Sequence, residues 1–242
     1  MRHVILAIPA LMLTSCGHTE SSVSGSSPIG SRNFALSDFD QIVLRGADDV
    51  NVVVGKAFSV SATGPEAELD QLEIVVENGA LKIGRKSNAA WHIGWSRKDS
   101  RGVKITVTMP SIRAAKLAGS GDLAVDKAIA DGFKASVLGS GDLRVGHVEA
   151  KSVALSIAGS GDLEIAGKAG SVDISGTGSG DVEAGSLEAE TAGIAVVGSG
   201  DVTARATGSA SVSIVGSGDV TISGTDNCKT SKLGSGTVTC KA

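Results

Sequence analysis

The tetrapeptide Gly-Ser-Gly-Asp begins at Gly119, Gly139, Gly159, Gly178, Gly198 and Gly216, and an altered copy, Gly-Ser-Gly-Thr, begins at Gly234. Successive copies lie 20, 20, 19, 20, 18 and 18 residues apart. A unit this short cannot bury an apolar side of its own, so it must stack on its neighbours. The residue after each tetrapeptide is Leu123, Leu143, Leu163, Val182, Val202, Val220 or Val238, and two positions on stands Val125, Val145, Ile165, Ala184, Ala204, Ile222 or Cys240. The residues between them, such as Arg144, Glu164 and Thr203, are mostly polar. That alternation is the pattern of a half-buried strand. It recurs upstream, as in Leu155-Ser156-Ile157 and Val212-Ser213-Ile214. Each repeat therefore reads as two short strands around a glycine turn, followed by a variable return segment such as Ala166 to Ser171.

The expected fold is all-β, a parallel β-helix (β-solenoid) of about 18–20 residues per coil. Seven coils at ~4.8 Å would make a rod roughly 34 Å long. A propeller blade needs about 40 residues, and the helical half of a leucine-rich repeat is missing. Composition agrees: aromatics are 2% and tyrosine is absent, so small aliphatic side chains must fill a thin, regular interior.

Residues 113–242 form the repeat solenoid in this reading, and residues 32–112 an all-β region that caps it. Gly46-Ala47-Asp48-Asp49-Val50-Asn51-Val52 matches the register of the tetrapeptide and its strand. Gly79-Ala80-Leu81-Lys82-Ile83 and Val103-Lys104-Ile105-Thr106-Val107 also alternate, and Phe34, Phe39 and Phe58 cluster in this part of the chain.

Residues 1–15 read as an export signal, with Arg2 and His3 before the apolar run Val4–Leu13, too short to span a bilayer. The string Leu13-Thr14-Ser15-Cys16 resembles the lipobox of bacterial lipoproteins, which implies acylation of Cys16. Gly17 is not aspartate, which by the same resemblance implies the outer membrane, with the rod facing the periplasm or the surface. Residues 16–31 are rich in Ser and Gly, the composition of a flexible tether. With Cys16 acylated, Cys228 and Cys240 remain as a pair in an oxidising compartment. Repeat register places both inward, on opposite sides of the last turn, so a Cys228–Cys240 disulfide is expected.

The aspartates Asp122, Asp142, Asp162, Asp181, Asp201 and Asp219 form a ladder. At ~4.8 Å, neighbouring charges repel by about 0.9 kcal/mol in water and about 3.5 at an effective dielectric of 20. Two readings follow. Each aspartate accepts backbone N–H groups in its turn, or the column binds cations. Calcium needs 6–8 oxygens and no second acidic column supplies them, so the turn is the reading preferred. Glu164 and Glu183 occupy neighbouring outward positions beside Arg144, a pattern a glycan-active β-helix enzyme could use but which a solvated face explains. The segment Arg85 to Gly102 breaks the repeat and holds Trp91, His92, Trp95, Arg97, Lys98 and Arg101. Paired aromatics among cations suit a glycan or a lipid headgroup, or the tryptophans cover the open core. No His/Cys cluster has metal-ligand spacing, no cofactor motif is present, and the net charge of −4 argues against nucleic acid.

Phe39-Asp40-Gln41-Ile42-Val43, Gly79-Ala80-Leu81-Lys82-Ile83, Val107-Thr108-Met109-Pro110-Ser111 and the Gly-Ser-Gly-Asp series resemble the bacterial "putative auto-transporter adhesin, head GIN domain" family, from about Asn33 to Lys241. The resemblance implies an exported, often lipid-anchored, right-handed parallel β-helix, and brings no catalytic residues. The expected function is a non-catalytic cell-envelope lipoprotein, an adhesin-like module held to the membrane by its lipid and taking a glycan or an envelope protein as ligand. The alternative is a scaffold that stacks end to end.

Overall fold

Each glycine tetrapeptide is a corner at which the chain leaves one sheet and enters another. The computed structural model describes residues 28–86 and 102–242. Its elements are β1 (Ile29–Phe34), β2 (Gln41–Gly46), β3 (Asp49–Val54), β4 (Ser59–Pro65), α1 (Glu66–Leu69), β5 (Leu72–Glu77), β6 (Ala80–Arg85) and β7 (Lys104–Met109). They continue with β8 (Ala114–Gly119), β9 (Leu123–Val125), β10 (Ala128–Gly139), β11 (Leu143–Gly159), β12 (Leu163–Gly178), β13 (Val182–Gly198), β14 (Val202–Gly216), β15 (Val220–Ser223), β16 (Cys228–Gly234) and β17 (Val238–Lys241). From β8 to the C-terminus all pairings are parallel, as a β-solenoid requires.

The coil has three faces. The approach face runs into the corner and stacks β5, β6, β2, β8, β10, β11, β12, β13, β14 and β16 in that order. The exit face leaves it, running from β1 through β4, β7, β3 and β9 to the long strands and then β15 and β17. The third face corrects the sequence reading. The return segment is itself strand: Ala128–Ala130, Val148–Ala150 and Gly167–Ala169 pair in register. Val148, Leu187, Ala189 and Ala206 turn apolar side chains inward there. Register shifts at the entry to this face, between Val145 and Val148 and between Glu164 and Ala166, absorb the differences in repeat length.

Like residues form columns through the interior. Ala135, Leu155, Ile174, Ile194 and Val212 make one, and Val145, Ile165, Ala184, Ala204 and Ile222 belong to another, all buried. Each buried Val, Leu or Ile contributes roughly 1.5–3 kcal/mol relative to exposure.

The third residue of each corner shows why it must be glycine. A Cβ on Gly161 would lie 2.1 Å from the carbonyl oxygen of Gly141, and one on Gly141 would lie 2.1 Å from that of Gly121. Gly121 stands in turn on Asp48. Asp48 occupies the same column one coil earlier and carries a side chain where the later corners have glycine. Asp48 is 1% exposed. Both its oxygens accept from Arg85, Nε at 2.9 Å from Oδ2 and Nη2 to Oδ1, and Arg85 also reaches Glu68 of α1.

The residues before β8 both continue the stack and close it. Gly46 pairs with Gly119 and Val50 with Leu123, as the tetrapeptide register implied. Strands β4 and β5 instead run antiparallel to their partners β7 and β6, and β1 runs antiparallel to β4. Phe39 and Phe58 meet here with ring centroids 4.8 Å apart.

Candidate functional site

The aspartate ladder is tied to the backbone. The N–H of Asp162 donates to Oδ1 of Asp142 (3.2 Å), that of Asp181 to Asp162 (3.0 Å), that of Asp201 to Asp181 (2.7 Å) and that of Asp219 to Asp201 (2.7 Å). Asp122 receives a longer bond, 3.4 Å, from Asp142. A hydrogen bond to a charged acceptor offsets the repulsion between neighbouring carboxylates. Among the described residues no three His, Cys, Asp or Glu side chains converge as a metal site.

Glu164 and Glu183 are adjacent on β12 and β13 along a groove of about 560 Å³ at the junction of the exit and return faces. Each has a partner. Arg144 Nε donates to Glu164 (3.1 Å), and the Thr203 hydroxyl donates to Glu183 (2.8 Å). The pair is thus part of a polar column that alternates along the rod.

Cys228 and Cys240 are joined across the last corner, with Cα atoms 6.7 Å apart. Cys228 continues the column of Phe133, Val153, Val172, Ala192 and Ala210, and Cys240 the column of Ile222. Cys16, Trp91, His92, Trp95 and Arg97 lie outside the described residues.

The approach face is the broadest exposed sheet, and its outer surface was not singled out from the sequence. The residue before each corner glycine points outward, and this column holds Leu138, Val197, Val215 and Leu233, which are 41, 51, 44 and 72% exposed. Beside it runs a column of small polar residues, with Ser136, Ser156, Ser175 and Ser213 bordering a shallow groove of about 590 Å³. A third column carries Lys134, Ala154, Asp173, Gly193 and Ser211. The signal was present in the repeat: alternation turns the residue before the glycine outward, and in four copies it is Leu or Val.

Several solved structures share this architecture. A "putative adhesin" from Bacteroides fragilis NCTC 9343 superposes with a TM-score of 0.79 at 20% identity, covering 90% of this chain and 98% of that one. A "putative lipid binding protein" from Parabacteroides distasonis ATCC 8503 gives 0.70 at 25% identity, with the same coverage. A "putative adhesin" from Parabacteroides merdae ATCC 43184 gives 0.70 at 18%, again covering 90% and 98%. No curated protein matches the chain. The model of one family matches residues 38–225, most of the chain, and the protein accordingly belongs to that family, described as "putative auto-transporter adhesin, head GIN domain".

Proposed function

We propose that this chain is a non-catalytic interaction module of the cell envelope, anchored through an acylated Cys16 and a tether over residues 16–31. Residues 32–112 cap the rod and residues 113–242 present its repeated surface. The observation that carries the reading is the approach face, where aliphatic side chains stay exposed in a column several strands long. Exposed apolar patches of that extent mark interaction surfaces. The carboxylates that a glycan-active enzyme would need are occupied by Arg144 and Thr203. The segment carrying Trp91, His92, Trp95 and Arg97 follows β6 in sequence and is the second candidate contact, for a glycan or an envelope protein.

The scaffold alternative meets an obstacle at the C-terminal end. In β16, Thr230 and Lys232 occupy the inward columns of Val212 and Ile214. The Lys232 ammonium donates to the carbonyl of Gly236 at 3.1 Å. An inward-pointing charge on a terminal strand blocks edge-to-edge addition. A glycan array and a pull-down from envelope fractions test the proposal. Saturable binding without turnover is expected. Release of new reducing ends from a polysaccharide, lost in Glu164→Gln, would assign catalysis instead.

A further inference from the structure

We infer that two copies of this chain pack approach face against approach face, with their rods antiparallel and a two-fold axis running along β11. The inference rests on the reading of this face as a binding surface and names its partner.

Charge selects the arrangement. Lys134 and Asp173 lie in one outward column, separated by Ala154 alone, so they stand about 9.6 Å apart at the strand spacing. Neither forms an ion pair within the chain among the described residues. A two-fold axis along the strand direction returns each column onto itself and reverses the order of coils. Placed through Ala154, it sets Lys134 against Asp173 of the second copy and Asp173 against its Lys134. Between β6 and β16 the other charges in these columns then meet neutral residues: Lys116 meets Ala195, Arg45 meets Val215, Lys82 meets Ser231 and Lys229 meets Ala80. Moving the axis one coil on, through Asp173, would oppose two aspartates, and like charges juxtaposed across an interface are strongly disfavoured.

Shape and size agree. Ser156 and Ala158 lie on the axis, Leu138 faces Thr177 and Ala118 faces Val197, so the exposed aliphatic side chains of these central strands do not oppose one another. Small residues on facing sheets permit a dry, interdigitated contact. A footprint from β2 to β14, seven strands deep and seven residues wide, covers roughly 800 Å² per copy at ~4.8 Å between strands and ~3.3 Å per residue. That is about the area each partner buries in a standard stable complex. Only another rod with the same coil spacing matches these columns along their whole length.

The test uses the full chain in its own membrane. Ala158→Cys, treated with a short bismaleimide, is expected to give a covalent dimer, and Thr203→Cys on the exit face is not. Lys134→Asp turns both apposed pairs into like-charge contacts and should lower the dimer yield at least about tenfold. The charge swap Lys134→Asp with Asp173→Lys should restore it. Equal cross-linking at the two cysteines, or a swap that fails to rescue, overturns the inference. So does saturable binding of a fluorescent fatty acid that protects Ala158→Cys from the reagent, since that places an acyl chain in the groove. If dimers are absent while binding in the array and pull-down persists, the homotypic inference fails and the interaction-module reading stands.

Discussion

Oδ1 of Asp219 accepts two hydrogen bonds from Thr237 one coil on, from its backbone N–H and from its hydroxyl, both at 2.8 Å. Thr237 stands where every earlier corner has aspartate, so the ladder ends on a donor instead of another charge. The two bonds favour the ionised carboxylate and hold Asp219 below its ordinary value of 3.8. A folded-state value lowered in this way contributes stability above the unfolded value, and the contribution fades as pH falls through the folded one. Amide protection at Thr237 and Val238, taken relative to the intrinsic exchange rate at each pH, should therefore fall on acidification below pH 3.8. Asp219→Asn should abolish that step; an unchanged acid profile in the variant would refute the assignment.

Gly161→Ala should lower unfolding free energy by about 3 kcal/mol, the upper end for overpacking, because the new Cβ meets backbone and not a movable side chain. Urea titration reads the change. A loss near the ordinary glycine-to-alanine effect would mean the stack can open locally.

Asp48 occupies the same column with its side chain paired to Arg85, and its replacement acts through charge. Asp48→Ala leaves Arg85 with Glu68 alone and should cost about 3 kcal/mol, as breaking a buried pair does. Asp48→Asn should recover part of the loss. Equal stability of the wild type and both variants would remove the ion pair from any role in closing the rod.

The bond between Cys228 and Cys240 spans 12 residues, and closing a loop of that length contributes about 3 kcal/mol in the chain-entropy model. Cys228→Ala with Cys240→Ala should increase proteolysis after Gly224 while leaving β10 to β14 protected. Titration of two free thiols in the exported, denatured protein would show that the bond does not form in the cell.

Replacing Trp91 and Trp95 together by Ala should weaken ligand binding at least about tenfold, the size of an aromatic anchor, with the thermal transition unchanged. A lost cooperative transition would assign them to the cap.

The stacked architecture was legible because the repeat writes each column seven times over, and the Gly46 segment repeats it in altered form. The return face was not. Its column passes from Val148 to Gly167 to Leu187, and a glycine amid changing repeat lengths hides the alternation. Antiparallel pairing of β4 and β5 was equally hidden, since a strand alternates in the same way whichever direction its partner runs. Asp48 falls at a glycine position of the repeat register, and its meaning appears only when Arg85, 37 residues on, is seen beside it. The approach face was not legible because its message lies in modest aliphatics that remain in water, which in a sequence look the same as those of the core.

The glycine column also governs how such a rod can change in size. Each corner meets only the corner before and the corner after, through backbone atoms common to all of them. A whole unit can therefore be copied or excised at any internal corner and the new neighbours will mate as the old ones did. Reach grows in steps of ~4.8 Å while both ends keep their own closures: the ionic plug under Asp48 and the staple beyond Gly224. Length in this architecture is an inheritable quantity, adjustable by duplication without redesign of the core.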